Sequence, residues 1–426
     1  MADFNTSQVM GVTFEITTRY TEPQAVELDA AGLIWYQEDN TINMVPLSSA
    51  EDQILHSVVA VRKVTKPFGS SILAKRALRE IKLLRYLRHE NIVGLNDLFI
   101  SPAEDLYIVT ELMWTNLQRL IDRGPMEDAF AKYFLYQILR GLKYVHSAGI
   151  IHRDLKPSSI LINENCDLKI SGFEHARLQG PQMTGYVVTR LYRAPEIMLT
   201  WQKYSAKVDV WSSACIFAEM LQGKPLFPAS NHADQFNQIV KLLGNPPVWI
   251  VDMITNSNTR GFVDSLPKCQ RRDFADAFPS FSQQANDLLE RMLVFDVNER
   301  INARDALSHP YLKLYHDPAD EPVVKETFDW SFNQAHNSIE TWKRVVYKEV
   351  WKFRTLEVKN GLAMNMSMKT KEETVPINIV STSDADGNSL TGVDDFDEIL
   401  SSFCQNFDAG DMAAQYPTAE SITGSS

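Results

Sequence analysis

A chain of 426 residues with 44% hydrophobic content is long enough to bury a substantial core, and its net charge of −12 offers no basic stripe for nucleic acid. No window reaches the roughly 18 apolar residues that a bilayer span requires, and the opening MADFNTSQVMGVTFEITTRY lacks a basic start followed by an apolar run, so the chain is read as soluble and intracellular, with no membrane role. Cys166, Cys215, Cys269 and Cys404 form no Cys-x-x-Cys pair and have no histidine at metal spacing, which suggests neither a disulfide framework nor a zinc site.

Residues 1–19 read as an N-terminal extension. From Tyr20 to about Ile108 strand-like runs surround one helical stretch, SSILAKRALREIKLLRYLRH, in which Leu73, Ala77, Ile81 and Leu84 recur at three- and four-residue steps. Residues 33–58, LIWYQEDNTINMVPLSSAEDQILHSV, are long for a hairpin between two sheet strands and read as an irregular insertion. From Thr115 onward helical patterns dominate. In AFAKYFLYQILRGLKYVHSAG, Phe134, Ile138, Leu142 and Val145 line one face and Gly149 is placed to end the helix. The implied architecture is α+β, a small β-rich lobe followed by a larger helical one. The segment Thr355–Ser426 has three lysines, no arginine and twelve acids, and its Ser, Thr, Asp and Gly content predicts an acidic disordered tail. Within it Phe396, Ile399, Leu400 and Phe403 recur at helical spacing, which suits either docking on a partner or a transient helix that binds nothing.

Nine motifs then follow in order: VAVRK at Val59–Lys63, ALREIKLL, TELMW, HRDLKPSS, SGF, TGY, RAPE, DVWSSA and DVNER. The series resembles the protein kinases from about Tyr20 to Leu312. Together with the Thr184-Gly185-Tyr186 lip, RAPEIMLTWQKY and YHDPADEPVVKETFDWSF, it is similar to the mitogen-activated protein kinases of the fungal high-osmolarity, stress-activated branch. The resemblance implies a two-lobed kinase fold, with the small lobe at 20–112, the large lobe at 113–312, a C-terminal extension with an acidic docking patch at 313–354, and the tail at 355–426. It implies a monomer that uses ATP and Mg, is cytoplasmic and enters the nucleus on stimulation. Its implied partners are an upstream MAP kinase kinase, docking-motif proteins and phosphatases.

Kinase chemistry is mostly positioning and electrostatics, and the resemblance assigns each part to a residue here. Val26, Gly32, Ile34 and Ala60 fall at the nucleotide roof, Thr110, Glu111 and Met113 at the hinge, and Leu161 on the floor. Asp154 stands at the catalytic base and Lys156 follows it. Several parts depart from the pattern. Only Gly32 remains of three loop glycines, with Glu27 and Asp29 at the others, which opposes close approach of a polyanion. Arg62 stands where a strand lysine is expected, and its planar head does not occupy an ammonium position. A pair between Arg62 and Glu80 is therefore read as structural. The two metal-ligand positions hold Ser159 and Gly172, which weakens or removes both oxygen ligands that magnesium needs. Glu174, two residues on with Phe173 between, is not expected to replace them.

The regulatory parts are better preserved. Thr184 and Tyr186 remain as phosphorylation positions. The resemblance places Arg76, Arg79, Arg153 and Arg177 around the phosphothreonine, and Arg190 and Arg193 around the phosphotyrosine. Residues three apart share a helix face, so Arg76 and Arg79 can converge on one phosphate. Asp317, Asp320 and Glu321 match the acidic docking patch. The sequence alone thus favours a kinase-shaped docking or scaffolding protein with phosphotransfer impaired or lost, and its alternative is an active kinase for Ser/Thr-Pro sites.

Overall fold

The computed structural model describes residues 3–368, apart from 10, 27–33, 39–40, 46, 179–190 and 201–204. Its small lobe is built on a five-stranded antiparallel sheet of β3 (Tyr20–Ala25), β6 (Leu47–Asp52), β7 (Ser57–Val64), β9 (Leu106–Glu111) and β8 (Leu95–Ile100), in that spatial order. A hairpin of β1 (Phe4–Val9) and β2 (Val12–Thr17) covers one face. Phe14, Ile16, Tyr20, Val61, Phe99 and Tyr107 close a small core there, with Phe99 and Tyr107 stacked at 4.9 Å. Within the 1–19 segment, Phe4–Val9 and Val12–Thr17 thus form part of the small lobe.

The expectation of an irregular insertion across 33–58 is corrected. Leu47–Asp52 pairs with β3 on one side and β7 on the other, so it is an ordinary inner strand. The added piece is the separate hairpin of β4 (Ile34–Glu38) and β5 (Thr41–Val45). It stands where a simple turn would join β3 to β6.

Across the other face of the sheet lies α1 (Ser71–Tyr86), whose start is capped by Ser70 accepting from the Leu73 amide. It buries Ala77, Ile81 and Leu84 of the expected stripe together with Ala74 and Leu78, and leaves Leu73 half-buried. The short helix α2 (Leu117–Ile121) is capped by Asn116. In the large lobe α3 (Asp128–Ser147) is buried along Phe130, Phe134, Ile138, Leu142 and Val145, and Gly149, at φ +71°, turns the chain out of it. Next come α4 (Pro195–Thr200) and α5 (Lys207–Gln222). The helix α5 is buried nearly all round from Val208 to Met220, as a core helix of a large domain must be.

A long C-terminal helix, Ile339–Met368, returns to the small lobe and packs on α1 and β8. Trp342, Val346, Val350 and Phe353 are buried in that contact, and Glu349 pairs with Arg85. The expected start of a disordered tail at Thr355 is therefore too early, because the helix runs on to Met368. The acidic run containing Phe396, Ile399, Leu400 and Phe403 lies outside the described residues. Among the described residues no helix is long and apolar enough to cross a membrane.

The large lobe is braced by Arg300, which is almost fully buried. Its guanidinium donates to both carboxylate oxygens of Glu196, at 2.7 and 2.8 Å, and to the carbonyls of Val294 and Lys207. It also lies over the Trp211 ring at 5.0 Å. Removing one partner of a buried pair leaves the other charge uncompensated. Arg300→Ala should therefore cost about 3–5 kcal/mol in urea unfolding, and a loss below about 1 kcal/mol would contradict this account.

Glu219 on α5 makes a second, pH-dependent case. Burial pushes its carboxyl up to about 7, although the Tyr192 hydroxyl works in the opposite direction. The stability that its neutral form supports is fully present below the ordinary carboxyl range and is lost as pH rises through about 7. Glu219→Gln should therefore gain more thermal stability over the wild type at pH 8 than at pH 5. The same difference at both pH values would refute the burial effect.

Candidate nucleotide site and switch

The cleft between the lobes holds a cavity of about 240 Å³. Its apolar walls are Leu47, Ala60, Leu84, Val93, Ile108 and Leu161, and its edge is the hinge from Thr110 to Met113. Strand pairing explains the roof: Ala60 lies opposite Ser49 on one side and Thr110 on the other, and Leu47 lies opposite Arg62. The roof residue is therefore Leu47, and the assignment of Ile34 is corrected, because Ile34 falls on the added hairpin. Reading forward from Gly32 counted through that hairpin, whereas counting back from Val59 would have found Leu47. Val26 is buried, its amide donating to Leu47 O at 3.3 Å, but it does not line the cavity. Glu27, Asp29 and Gly32 lie outside the described residues. Asn116 reaches the cavity while capping α2.

At the inner end Arg62 and Glu80 are bonded to each other and both line the cavity. Lys63 faces the opposite side of the sheet, as strand alternation requires, where it meets Asp105 at 2.9 Å and the Thr13 carbonyl. The charge that reaches the cleft is thus a guanidinium held by its helix partner.

The catalytic loop is fixed from below by Asp209, whose carboxylate accepts from the amides of His152 and Arg153, both at 2.9 Å, and lies 2.8 Å from His146 Nε2. Burial raises the pKa of this carboxyl, but the bonds and charge of its neighbours outweigh that and hold it below the usual carboxylate range. Arg153 adopts φ +76°, a left-handed conformation that a non-glycine residue holds only when its surroundings enforce it. His152, whose pKa burial pushes down, sits within 2.8 Å of the Ser171 carbonyl and packs edge-on against Phe173. This frame places Asp154 at the cavity with one oxygen 3.6 Å from Lys156 Nζ. Its other oxygen, Oδ1, is buried with no hydrogen-bond partner among the described residues.

The two metal-ligand positions differ from that frame. Ser159 turns its hydroxyl back to the Lys156 carbonyl at 2.8 Å and accepts from the Lys156 amide at 3.1 Å, so it is engaged in its own turn. Gly172, at φ +87°, offers no side chain. The nucleotide end of the cavity thus suits an adenine and a phosphate chain, while the metal positions at 159 and 172 do not suit magnesium in the arrangement the resemblance implies. Among the described residues no group of three or more His, Cys, Asp or Glu side chains could hold a metal. Glu174 lines the same cavity, and burial pushes its carboxyl up to about 7.

Residues 49–312 match the protein kinase domain family. Mitogen-activated protein kinase HOG1 of Cryphonectria parasitica is 56% identical over 363 residues, covering 85% of this chain and 98% of the relative. The hog1 kinases of Blastobotrys adeninivorans and Aspergillus terreus are each 57% identical, covering 84% of this chain and 86% and 95% of their own lengths. The chain belongs to the protein kinases, in their fungal HOG-type MAP kinase branch.

In this MAP kinase the cations expected around a phosphothreonine come together. Burial, with Arg76 and Arg153 adding to it, brings Arg79 down to about 10, so the three guanidinium groups are close enough to repel. Burial lowers the Lys75 pKa, and Arg79 and Arg177 lower it further. Arg79 donates to Asn333 at 2.9 Å, but its Nε and Nη1 are buried without a partner among the described residues. Thr184, Tyr186 and Arg190 lie outside the described residues, and Arg193 is buried beside α4.

The docking patch needs a correction at Glu321. Its carboxylate is buried, 2.9 Å from Lys143 Nζ and 2.6 Å from His316 Nδ1. Those bonds hold the C-terminal extension on α3 and leave Glu321 unavailable to a peptide. Asp317 is exposed, and Asp320 is exposed while meeting Arg140 at 3.1 Å. Glu321→Ala should therefore cost about 3–5 kcal/mol in urea unfolding, and Asp317→Ala should leave the midpoint nearly unchanged. Equal losses from the two variants would place Glu321 on the surface.

Proposed function

We propose that the chain is a stress-activated MAP kinase that transfers phosphate from ATP to Ser/Thr-Pro sites, at a rate lowered by what its metal positions lack. The observation that carries this reading is the buried, unpartnered Asp154 Oδ1 at the wall of the cavity. Such an atom costs stability in an empty site and suits a substrate hydroxyl as its donor. The hinge residues Thr110, Glu111 and Met113 border the base, and Ala60, Leu47 and Leu161 enclose it. Arg62, steadied by Glu80, supplies positive charge toward the phosphates, and Lys156 offsets charge next to Asp154. Asp154 orients the hydroxyl and takes its proton. ATP supplies the transferred group and Mg is the cofactor usual in protein kinases. The upstream MAP kinase kinase would phosphorylate Thr184 and Tyr186, and the arginines around Arg79 would receive the first phosphate. Docking-motif proteins and phosphatases would use Asp317 and Asp320. A cytoplasmic location with nuclear entry on stimulation belongs to the same reading.

The missing side chain at Gly172 and the engaged Ser159 favour a second reading, in which transfer is lost and the protein acts by docking, competition or scaffolding. Removing one preorganised group costs on the order of 10² to 10³ in rate. Loss at two positions is in the range that separates a slow enzyme from a silent one.

A single measurement divides the two. Doubly phosphorylated protein is given a Ser-Pro peptide and labelled ATP, beside the Asp154→Asn variant. The enzyme reading expects transfer that falls by about 10² to 10⁴ in the variant. Transfer indifferent to the substitution belongs to a contaminant and leaves the docking reading. That reading in turn expects Asp317→Asn with Asp320→Asn to abolish capture of the upstream kinase.

A further inference from the structure

We propose that the acidic, aromatic segment Asp394–Phe403 of this same chain docks on the outward face of the C-terminal helix, along Arg344, Tyr347, Lys348, Trp351 and Lys352.

The helix Ile339–Met368 buries one face on α1 and β8. Its opposite face is exposed and carries two adjacent rows at four-residue spacing, Tyr347 and Trp351 in one, Arg344, Lys348 and Lys352 in the other. Trp351 is 67% exposed, and Tyr347 remains exposed while its ring stacks on Phe68 at 5.9 Å. The cations beside them are weakly engaged. Arg344 lies 3.5 Å from Glu340 with both side chains largely in water, where such a pair contributes little. Lys352 shares Glu349 with Arg85, and among the described residues no acid pairs with Lys348. Trp, Tyr and Arg exposed together are the residue types that carry most of the energy in recognition surfaces.

The chain contains the complement of this face. Asp394–Phe403, DDFDEILSSF, has four acids and no base, and Phe396, Ile399, Leu400 and Phe403 recur at three- and four-residue steps. On a helix those four would share one side, with Asp395 and Asp397 flanking it, so apolar groups would meet the aromatic row while acids meet the cation row. Reach agrees with charge. The 25 residues 369–393 separate the helix end from the segment, and a flexible linker of that length spans about 25–30 Å. The way back along the helix from Met368 to Trp351 is about 25 Å. A tether whose span matches the gap raises the local concentration of its segment to about the millimolar range. A contact too weak to hold two molecules together is then populated within one, which favours the chain's own segment over an acidic peptide from elsewhere.

The test is zero-length carbodiimide cross-linking of the full-length protein, mixed in equal parts with isotope-labelled protein and mapped by mass spectrometry. Amide links should join Lys348 or Lys352 to the acids between Asp394 and Glu398, within chains of one isotopic type. Trp351→Ala, an exposed position, should lower their yield about tenfold, and Trp351→Phe should keep most of it. Phe396→Ala with Phe403→Ala, which touches nothing in the folded core described above, should match the loss in Trp351→Ala.

Absence of these links in the wild type would sink the proposal, and so would a yield indifferent to both alanine variants. Links found mainly between labelled and unlabelled chains would assign the face to a second copy and overturn the intrachain contact. Binding to phosphatidylserine-rich vesicles that is lost in Trp351→Ala, without any intrachain link, would assign the face to an anionic membrane surface instead.

Discussion

The carboxylate of Asp209 is the point on which the cleft depends. It is fully buried on α5, and it takes two consecutive amides of the catalytic loop, those of His152 and Arg153, together with the His146 ring. Two bonds to adjacent amides determine both the position and the tilt of a loop, and they stabilise the left-handed Arg153 that an unsupported chain would avoid. Asp154 reaches the cavity only because its neighbour holds that conformation. The helix that carries Asp209 is itself immobilised by the core around Trp211 and by the Arg300–Glu196 pair. The site is thus a product of the large lobe's packing.

Against that rigid frame the changes in chemistry stand apart. Gly172 and Ser159 leave the fold intact because neither position carries a core contact that depends on a longer side chain. Gly172 removes a side chain from a turn already in a conformation that glycine adopts freely, and Ser159 satisfies its hydroxyl within its own turn. Folding and catalysis are therefore separable in this cleft. The Arg62–Glu80 pair shows the same separation. It preserves the tie between β7 and α1 while altering the shape of the charge presented to a phosphate.

The C-terminal part of the chain completes the small lobe. Asn333 meets Arg79, Lys75 reaches the carbonyls of Asn333 and Ala335, and the long helix lays Trp342, Val346, Val350 and Phe353 on α1 and β8. An extension that touches the helix carrying Arg76 and Arg79 couples its seating to theirs. Glu321 anchors the beginning of that extension, so an acid that looks like a docking group from its neighbours serves as a structural pin.

Local pattern was enough to determine much of this protein. The stripes of α1 and α3, the alternation that separates Arg62 from Lys63, the order of the motifs and the two-lobed α+β fold were legible because each depends on residues near in sequence. Tertiary structure decided what depends on distant partners. Leu47 became the roof because β6 pairs on both sides, which a count along the chain through an added hairpin concealed. Glu321 became a buried ion pair because Lys143 and His316 converge on it, and the last helix is seated on the small lobe because Trp342, Val346, Val350 and Phe353 find α1 and β8. Glu174 reaches the cavity because Phe173 is pinned on His152. Charge and spacing show which groups are available, but burial and pairing with residues far along the chain decide what each one does.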